Sequence, residues 1–289
     1  MAVDAADVAS PVGKRLAMTR MGRRANGTGV LIQGTDVLKI DLHLHTSEDP
    51  QDRIPYSSFE LIDRAATLGF DALAITLHDA QLTDARASAH ARERGITLIP
   101  GIERTIRGKH VLLLNFPAAE VNAVATLDDV RRLQLRGDGL VIAPHPFFPS
   151  PSCLGAQLDD YADAFDAVEW SYFWSRRIDF NSRAARWATS RGKPLVGNSD
   201  LHDLRQLGRT WSAVDAARDP IAICEAIRQG RVDVVSEPVP VAELVEIFSG
   251  MLWRGLGPKP KGRLHPSKPA CRTSATPYGP SSSSPFSAS

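Results

Sequence analysis

The feature that most limits the fold of this 289-residue chain is an alternation of two kinds of segment. Seven short apolar runs recur between residues 37 and 202, and segments with helical spacing of apolar residues separate most of them. The runs are VLKIDLHLH, DALAITLHD, ITLIPGIE, KHVLLLNF, LVIAPHPF, DAVEWSYF and PLVGNSDLH. Alternating strands and helices predict an α/β fold, a parallel sheet with crossover helices, and seven strands favour a closed barrel over an open sheet. In such barrels, functional side chains gather at the carboxyl ends of the strands.

The two ends of the chain differ from the middle in composition. We predict a weakly ordered extension over residues 1–36, one catalytic domain over 37–253, and a Pro- and Ser-rich disordered tail over 254–289. The tail has six basic and no acidic residues, and the extension has five basic and three acidic residues, so the net charge of +1 leaves −7 on the domain. An acidic domain favours bound divalent cations and disfavours a stable nucleic-acid partner.

The cysteines and the hydropathy indicate where the protein works. Cys153, Cys224 and Cys271 are far apart and form no CxxC pair, which excludes a disulfide framework and suits a reducing cytoplasm. No apolar run approaches the roughly 20 residues that span a bilayer. The amino terminus has no apolar segment typical of a secretory signal. We therefore expect a cytoplasmic protein with no membrane partner.

The histidines are concentrated at the candidate strands. Of eight in the chain, five lie at or near the carboxyl end of a run, and His110 begins one. Glu103 and Asp200 lie at the same edge. Each of these residues alone fits a structural role, such as shaping a turn, but their joint placement predicts a metal centre. Imidazole together with carboxylate suits zinc, manganese or iron, and His43 and His45, two apart on a strand, point to one face.

Six motifs together resemble the PHP domain, the family named for polymerase and histidinol phosphatase. DLHLHT, ITLHD, PGIE, KHVLLLNF, APHP and GNSDLH have the order and spacing of the family's motifs, and the similarity covers roughly residues 37–237. The resemblance implies a distorted seven-stranded (β/α) barrel of PHP type. It also implies two or three divalent metal ions at the mouth of that barrel.

Position by position, the resemblance implies three groups of metal ligands. The first is His43, His45, Glu103 and Asp200. The second is Glu103, as a bridge, with His110 and His145. The third is Asp49, His78 and His202.

Two positions in this assignment are open. In the acidic loop after DLHLHT, Glu48 or Asp52 is an alternative to Asp49. Leu77 stands where the family often has Asp before the histidine of its second motif. An acid that would orient the histidine is therefore missing, and Asp79 is a candidate to compensate.

The predicted reaction follows from clustered cations, which activate water and neutralise the charge of a phosphoryl group. We expect hydrolysis of a phosphomonoester or a terminal nucleotide phosphodiester by a metal-activated hydroxide, on a small phosphorylated substrate such as a nucleotide or an oligonucleotide end. The candidate catalytic residues are Glu103, Asp200, His202 and Asp79. His202 or Asp79 would pass a proton to the leaving group.

Substrate contacts are predicted from two segments. EWSYFWSRR places Trp170, Tyr172, Arg176 and Arg177 just past a strand end, and LGRTW contains Arg209. Aromatic rings can stack on a base, and arginine can bind phosphate through two hydrogen bonds. The alternative is that the tryptophans pack under a loop and the arginines are solvated.

Two other functions remain open. A metal-dependent amidohydrolase also begins with HxH on a barrel strand, although PGIE and SDLH point away from it. A non-catalytic PHP-like binding module is disfavoured because nearly all of the ligand-type residues are present.

Overall fold

The computed structural model of the protein describes residues 37–255, which form a nine-stranded mixed sheet with helices packed around it. The strands are β1 (Val37–Leu44), β2 (Ala72–Ile75), β3 (Thr97–Ile106), β4 (Lys109–Leu114), β5 (Leu140–Ala143), β6 (Ala167–Ser171), β7 (Leu195–Asn198), β8 (Thr210–Asp215) and β9 (Val232–Ser236). The helices are α1 (Ser58–Thr67), α2 (Ala85–Glu93), α3 (Ala118–Ala123), α4 (Leu127–Arg136), α5 (Gln157–Asp160), α6 (Asn181–Arg191), α7 (Pro220–Arg228) and α8 (Val241–Gly255), with short 3₁₀ helices at Ala162–Ala164 and Leu204–Gln206. Helix α8 passes the predicted domain end at residue 253. The predicted extension and the rest of the predicted tail lie outside the described residues.

The seven predicted strands form a nearly closed ring. The strand order is β7-β6-β5-β4-β3-β2-β1-β8-β9, and the amino half of β1 pairs with β8. At its carboxyl end, β1 bonds instead to the segment after β7. Leu44 forms a parallel bridge with Leu201, and the His45 N–H donates to the Leu201 carbonyl over 3.2 Å. This contact, which we call the seam, closes β1–β7 into a distorted seven-stranded barrel and confirms the predicted fold class. β8 pairs with the amino half of β1, and β9 pairs with β8.

One strand departs from the predicted parallel arrangement. β4 runs antiparallel to both β3 and β5. The cause is the two-residue turn Arg107–Gly108, whose φ angles of 49° and 77° are those of a tight hairpin turn. So short a turn leaves no room for a crossover helix. The reversal places His110 opposite Thr105 of β3, so a residue that begins its strand still reaches the barrel mouth.

An irregularity in β1 aims its histidines. The pairing of β1 with β2 changes register between Asp41 and Leu44. The apolar residues at even positions from 38 to 42 pack in one cluster with other barrel strands, whereas Leu44 packs in another cluster, with residues of α1 and α2. A bulge of this kind re-aims the side chains that follow it. His43 and His45 therefore share one side, at the barrel mouth.

The helices cover the outside of the barrel. α1, for example, begins at a capping box formed by Ser57 and Glu60, and it buries Leu61 and Ile62 in a cluster shared with β1 and β2. Within residues 37–255, none of the helices combines the length and the apolar character needed to cross a bilayer.

Candidate metal centre

The carboxylate of Glu103 is approached by five of the predicted histidines. Its Oε2 atom lies 3.4 Å from His43 Nε2, 3.4 Å from His45 Nε2 and 3.1 Å from His78 Nε2. Its Oε1 atom lies 2.6 Å from His110 Nδ1 and 3.4 Å from His145 Nε2. Glu103 is only 1% exposed. With imidazoles facing both oxygens, this carboxylate can serve two ions at once.

His43, His45 and Asp200 complete a first candidate position beside Glu103. Asp200 Oδ1 lies 3.4 Å from His43 Nε2 and 3.6 Å from His45 Nε2. Both Nε2 atoms are buried, and neither has a hydrogen-bond partner among the described residues, which is costly unless a ligand binds there. Two ligands of one tetrahedral zinc-type ion, each about 2.1 Å from it, lie about 3.4 Å apart. The donors therefore fit such an ion.

Carboxylates behind the rings set the direction of these histidines. Glu169 Oε1 lies 2.9 Å from His43 Nδ1, and Asp49 Oδ2 lies 3.0 Å from His45 Nδ1. Because a carboxylate accepts, this network assigns the proton to Nδ1 and leaves the Nε2 lone pair facing the candidate position.

Glu169 was missed by the sequence reasoning. The residue is fully buried in β6, and it also accepts from the Asn198 side chain over 2.9 Å and from the His145 N–H over 2.7 Å. It thereby ties β6 to β7 and to the segment after β5. The available signal was an acid inside the apolar run DAVEWSYF, where a charge is stable only with partners.

A second candidate position lies on the other side of Glu103. His78, Glu103 and His110 bring donor atoms within 4.8 Å of one another. His110 Nδ1 is close to Glu103 Oε1 but makes no hydrogen bond, so it too is a buried donor atom without a partner in the described chain. His145 turns Nε2 toward the same oxygen, while its Nδ1 lies 3.2 Å from Cys153 Sγ.

The acidic loop divides its three acids among different tasks. Asp49 Oδ2 lies 3.0 Å from His78 Nδ1 and accepts the His78 N–H over 2.9 Å, so the acid that orients His78 comes from this loop. Glu48 instead accepts from the Ser58 hydroxyl, at the start of α1, over 2.6 Å. Asp52 Oδ2 lies 2.9 Å from His202 Nε2.

The predicted third group is arranged differently from the first two. Asp49 faces His45 and His78, whereas His202 faces Asp52. Among the residues that the structure describes, no set of three converging donors includes His202.

Comparisons with known proteins support the resemblance. The family PHP_C, described as PHP-associated, matches residues 179–232, a segment that contains Asp200 and His202. Over this segment the chain is therefore similar to PHP-associated sequences. No curated protein matches it.

Two solved structures share the fold of this domain. One is a two-domain protein from Bacteroides vulgatus that contains a predicted PHP-like metal-dependent phosphoesterase, with a TM-score of 0.54 and 20% identity over 80% of this chain and 75% of that one. The other is PsfC from Pseudomonas syringae, with a TM-score of 0.52 and 18% identity over 76% of this chain and 98% of that one.

The charges at the barrel mouth are unbalanced without a cation. Burial lowers the pKa of His43, but Asp200, Glu169 and Glu103 raise it more, to about 10. Burial raises the pKa of Glu103, but the facing histidines, His43 first, hold it well below its usual range. Protonated histidines thus stand where bound metal ions would supply positive charge. The donor set therefore fits divalent cations.

Three substrate-contact predictions are corrected by burial and pairing. Trp170 and Tyr172 are 4% and 0% exposed, so neither ring offers a face to a base. The Trp170 indole donates to Ser236, and the Tyr172 hydroxyl donates to Glu243 over 3.1 Å. Arg209 also donates to Glu243, over 3.0 Å, so its guanidinium is already paired with a carboxylate. These side chains support α8 and the adjoining strands.

The other two arginines and Asp79 lie differently. Arg176 and Arg177, in the loop after β6, are exposed and remain candidates for substrate contact. The Asp79 carboxylate accepts from Arg104 over 2.8 Å and from the Gln51 side chain over 2.9 Å. Those bonds place Asp79 in a salt bridge with Arg104. The position of Asp79 therefore supports neither the predicted proton transfer to the leaving group nor the predicted orientation of His78 in place of an acid at Leu77.

Proposed function

We propose that the protein is a metal-dependent phosphoesterase that hydrolyses a phosphomonoester or a nucleotide-type phosphate. The observation that carries the proposal is Glu103, a buried carboxylate with imidazole nitrogens facing both of its oxygens. Several of those nitrogens have no hydrogen-bond partner in the described chain. Apolar groups would fill this space at less cost if the cluster only stabilised the fold.

The proposed centre holds two ions. His43, His45, Asp200 and Glu103 would hold the first, and Glu103 would share the second with His110 and the neighbouring histidines. Bound divalent ions supply an activated water near neutral pH and offset the negative charge of phosphoryl oxygens. Imidazole with carboxylate favours manganese, zinc or iron.

The chain's own residues supply orientation and a proton. Glu169 and Asp49 fix the rings of the first position, so the lone pairs point inward before any ligand arrives. His202 is the proposed proton donor to the leaving group, since its Nε2 lies 2.9 Å from Asp52, whose side chain is 36% exposed. That pair connects the buried donors to solvent.

The proposed substrate is small and phosphorylated, with a nucleotide or an oligonucleotide end as candidates. Arg176 and Arg177 are the proposed phosphate contacts, because both are exposed after β6 and guanidinium matches phosphate geometry.

The test combines metal analysis with a substrate screen. Cells that express the protein are grown with manganese, iron and zinc, and the metal content of the purified protein is measured. It is then assayed on nucleotides, 3′,5′-bisphosphonucleosides, sugar phosphates, short oligonucleotides and a set of amides. We expect at least two ions per chain and phosphate release that chelation abolishes. Turnover of amides alone would favour the amidohydrolase alternative, and bound metal without any turnover would favour a binding module.

A further inference from the structure

The thiol of Cys153 stands behind one histidine of the second candidate position. Its Sγ lies 3.2 Å from His145 Nδ1, and the residue is 5% exposed. The opposite ring atom, Nε2, faces Glu103 Oε1 at 3.4 Å. Because the sulfur is on the far side of the ring from the shared carboxylate, Cys153 contacts the histidine from behind and is not itself a ligand there.

The loop that carries Cys153 is fixed to the strand that carries His110. The His110 N–H donates to the Ser152 carbonyl over 2.8 Å. The Lys109 ammonium donates to the carbonyls of Pro151 and Cys153 over 2.8 and 2.9 Å. The loop of the thiol is therefore held to β4 by the His110 backbone and the Lys109 side chain.

This arrangement differs from that of the other histidines. The Nδ1 atoms of His43, His45 and His78 each face a carboxylate at 2.9–3.0 Å. His145 faces the Cys153 sulfur, and a cysteine thiol is a weaker hydrogen-bonding group than a carboxylate. A carboxylate behind a ligating imidazole raises its basicity, and a thiol does so less. His145 is also held at a left-handed φ of 29°, a backbone conformation that is strained for a residue other than glycine.

We propose that Cys153 is the positioning residue of His145 and that it sets the affinity of the second ion selectively. The ion at His43, His45 and Asp200 does not depend on this thiol. The inference rests on the proposed two-ion centre, and it adds a difference between the two positions.

The experiment is a titration of the metal-free protein with Mn²⁺, in which electron paramagnetic resonance measures the free Mn²⁺ at each step. Wild type, Cys153→Ala, Cys153→Ser and Cys224→Ala are compared, and the melting temperature of each metal-free protein is recorded. Cys224 is a matched control because it is a buried cysteine of α7 that packs in an apolar cluster. For Cys153→Ala we expect the dissociation constant of the second ion to be about 10-fold higher, in the usual range for loss of an orienting partner. The dissociation constant of the first ion should be unchanged. Cys153→Ser keeps a donor and should recover part of the loss.

Three results would overturn the inference. Both dissociation constants of Cys153→Ala could stay within twofold of wild type. Alternatively, binding of both ions could weaken together with a lower melting temperature, as a packing role predicts. Cys153→Ser would then behave like Cys153→Ala, because the serine side chain has nearly the same volume as that of alanine. A wild-type protein that takes up no Mn²⁺ would instead refute the proposed metal centre, and this inference would fall with it.

Discussion

Glu103 and Leu112 are direct neighbours across the β3–β4 pair, and their side chains share one face of the sheet. Both are closed to water, at 1% and 0% exposure. Leu112 packs in the apolar interior of the barrel, whereas Glu103 faces five histidines at its mouth. Burial of an apolar side chain stabilises a fold by about 1.5–3 kcal/mol, but burial of a charge costs several kcal/mol before its partners are counted. The interior therefore stabilises the barrel, and the mouth is maintained for binding.

The largest expected effect is the loss of activity on replacing Glu103, the charged member of this pair. Glu103→Ala should lower phosphatase kcat by about 10²-fold or more, because it removes preorganised charge from both candidate positions. Asp200→Ala should act similarly. Metal content by elemental analysis and kcat are the measurements, with far-UV circular dichroism as the control for folding. A folded Glu103→Ala protein with full metal content and wild-type turnover would refute the shared-ligand assignment.

Removing the apolar neighbour should have the opposite profile. Leu112→Ala should lower the free energy of unfolding by about 2–5 kcal/mol, because it leaves a cavity in the barrel interior. The metal stoichiometry of the folded fraction should remain that of wild type. Urea unfolding, with metal analysis below the transition, tests both. If Leu112→Ala lost metal without a loss of stability, the assignment of stability to the barrel interior and of metal binding to the mouth would be contradicted.

A third variant tests whether the mouth depends on its supporting carboxylates. Glu169→Gln keeps the shape of the side chain but weakens the bond to His43 Nδ1, so affinity for the first ion should fall about 10- to 100-fold. Isothermal calorimetry on the metal-free protein measures this change. Glu243→Gln, which alters a carboxylate paired with Tyr172 and Arg209, is the control and should leave affinity unchanged.

The pH dependence of stability should differ between metal-free and metal-loaded protein. The pKa of His43 is raised to about 10, from an ordinary value near 6.5. Its protonation therefore stabilises the metal-free fold fully below pH 6.5, and this contribution is lost as the pH rises toward 10. The melting temperature of metal-free protein should fall across that window. Metal-loaded protein, whose ligating imidazoles are already neutral, should not share this fall. Parallel curves for the two forms would contradict the assignment.

The smallest expected effect lies outside the mouth. Arg176→Ala should raise KM about fivefold, roughly 1 kcal/mol, with kcat and metal content unchanged, because the contact proposed for Arg176 is with the substrate and not with the ions. Arg86→Ala, on the exposed face of α2, is the matched control. A fall in kcat at constant KM would instead indicate that Arg176 stabilises the transition state.

The sequence predicted the residues of the mouth because strand ends share one edge. Five histidines, Glu103 and Asp200 could be placed there from the apolar runs alone, and the structure brings them to the mouth. The position of His110 fitted no strand end, since the reversal of β4 depends on the two-residue turn at Arg107–Gly108. Motif order supplied the role of that histidine, and the hairpin supplies the physical reason.

The rest of the site depended on contacts between distant segments. The runs could not reveal that Glu169 faces His43, because a single acid in a strand does not say what lies across the barrel. Nor could they show that Tyr172 is covered, since the cover is α8, whose Leu244 and Ile247 pack with it. The strands β8 and β9 are only partly buried, with more exposed residues at alternate positions, so their apolar signal is weak.

The seam between β1 and the segment after β7 has a consequence for how the chain reaches its final shape. Its residues are far apart in sequence, as in the bond from the Leu42 N–H to Asn198 Oδ1, which spans 156 positions. Contacts of such long range carry the greatest loop-closure cost and form slowly. His43 and His45 lie on one side of the seam and Asp200 on the other, so the ion proposed to bind all three would link the two sides of the seam. Metal binding at the proposed centre would therefore stabilise the closed barrel relative to forms in which the seam is open.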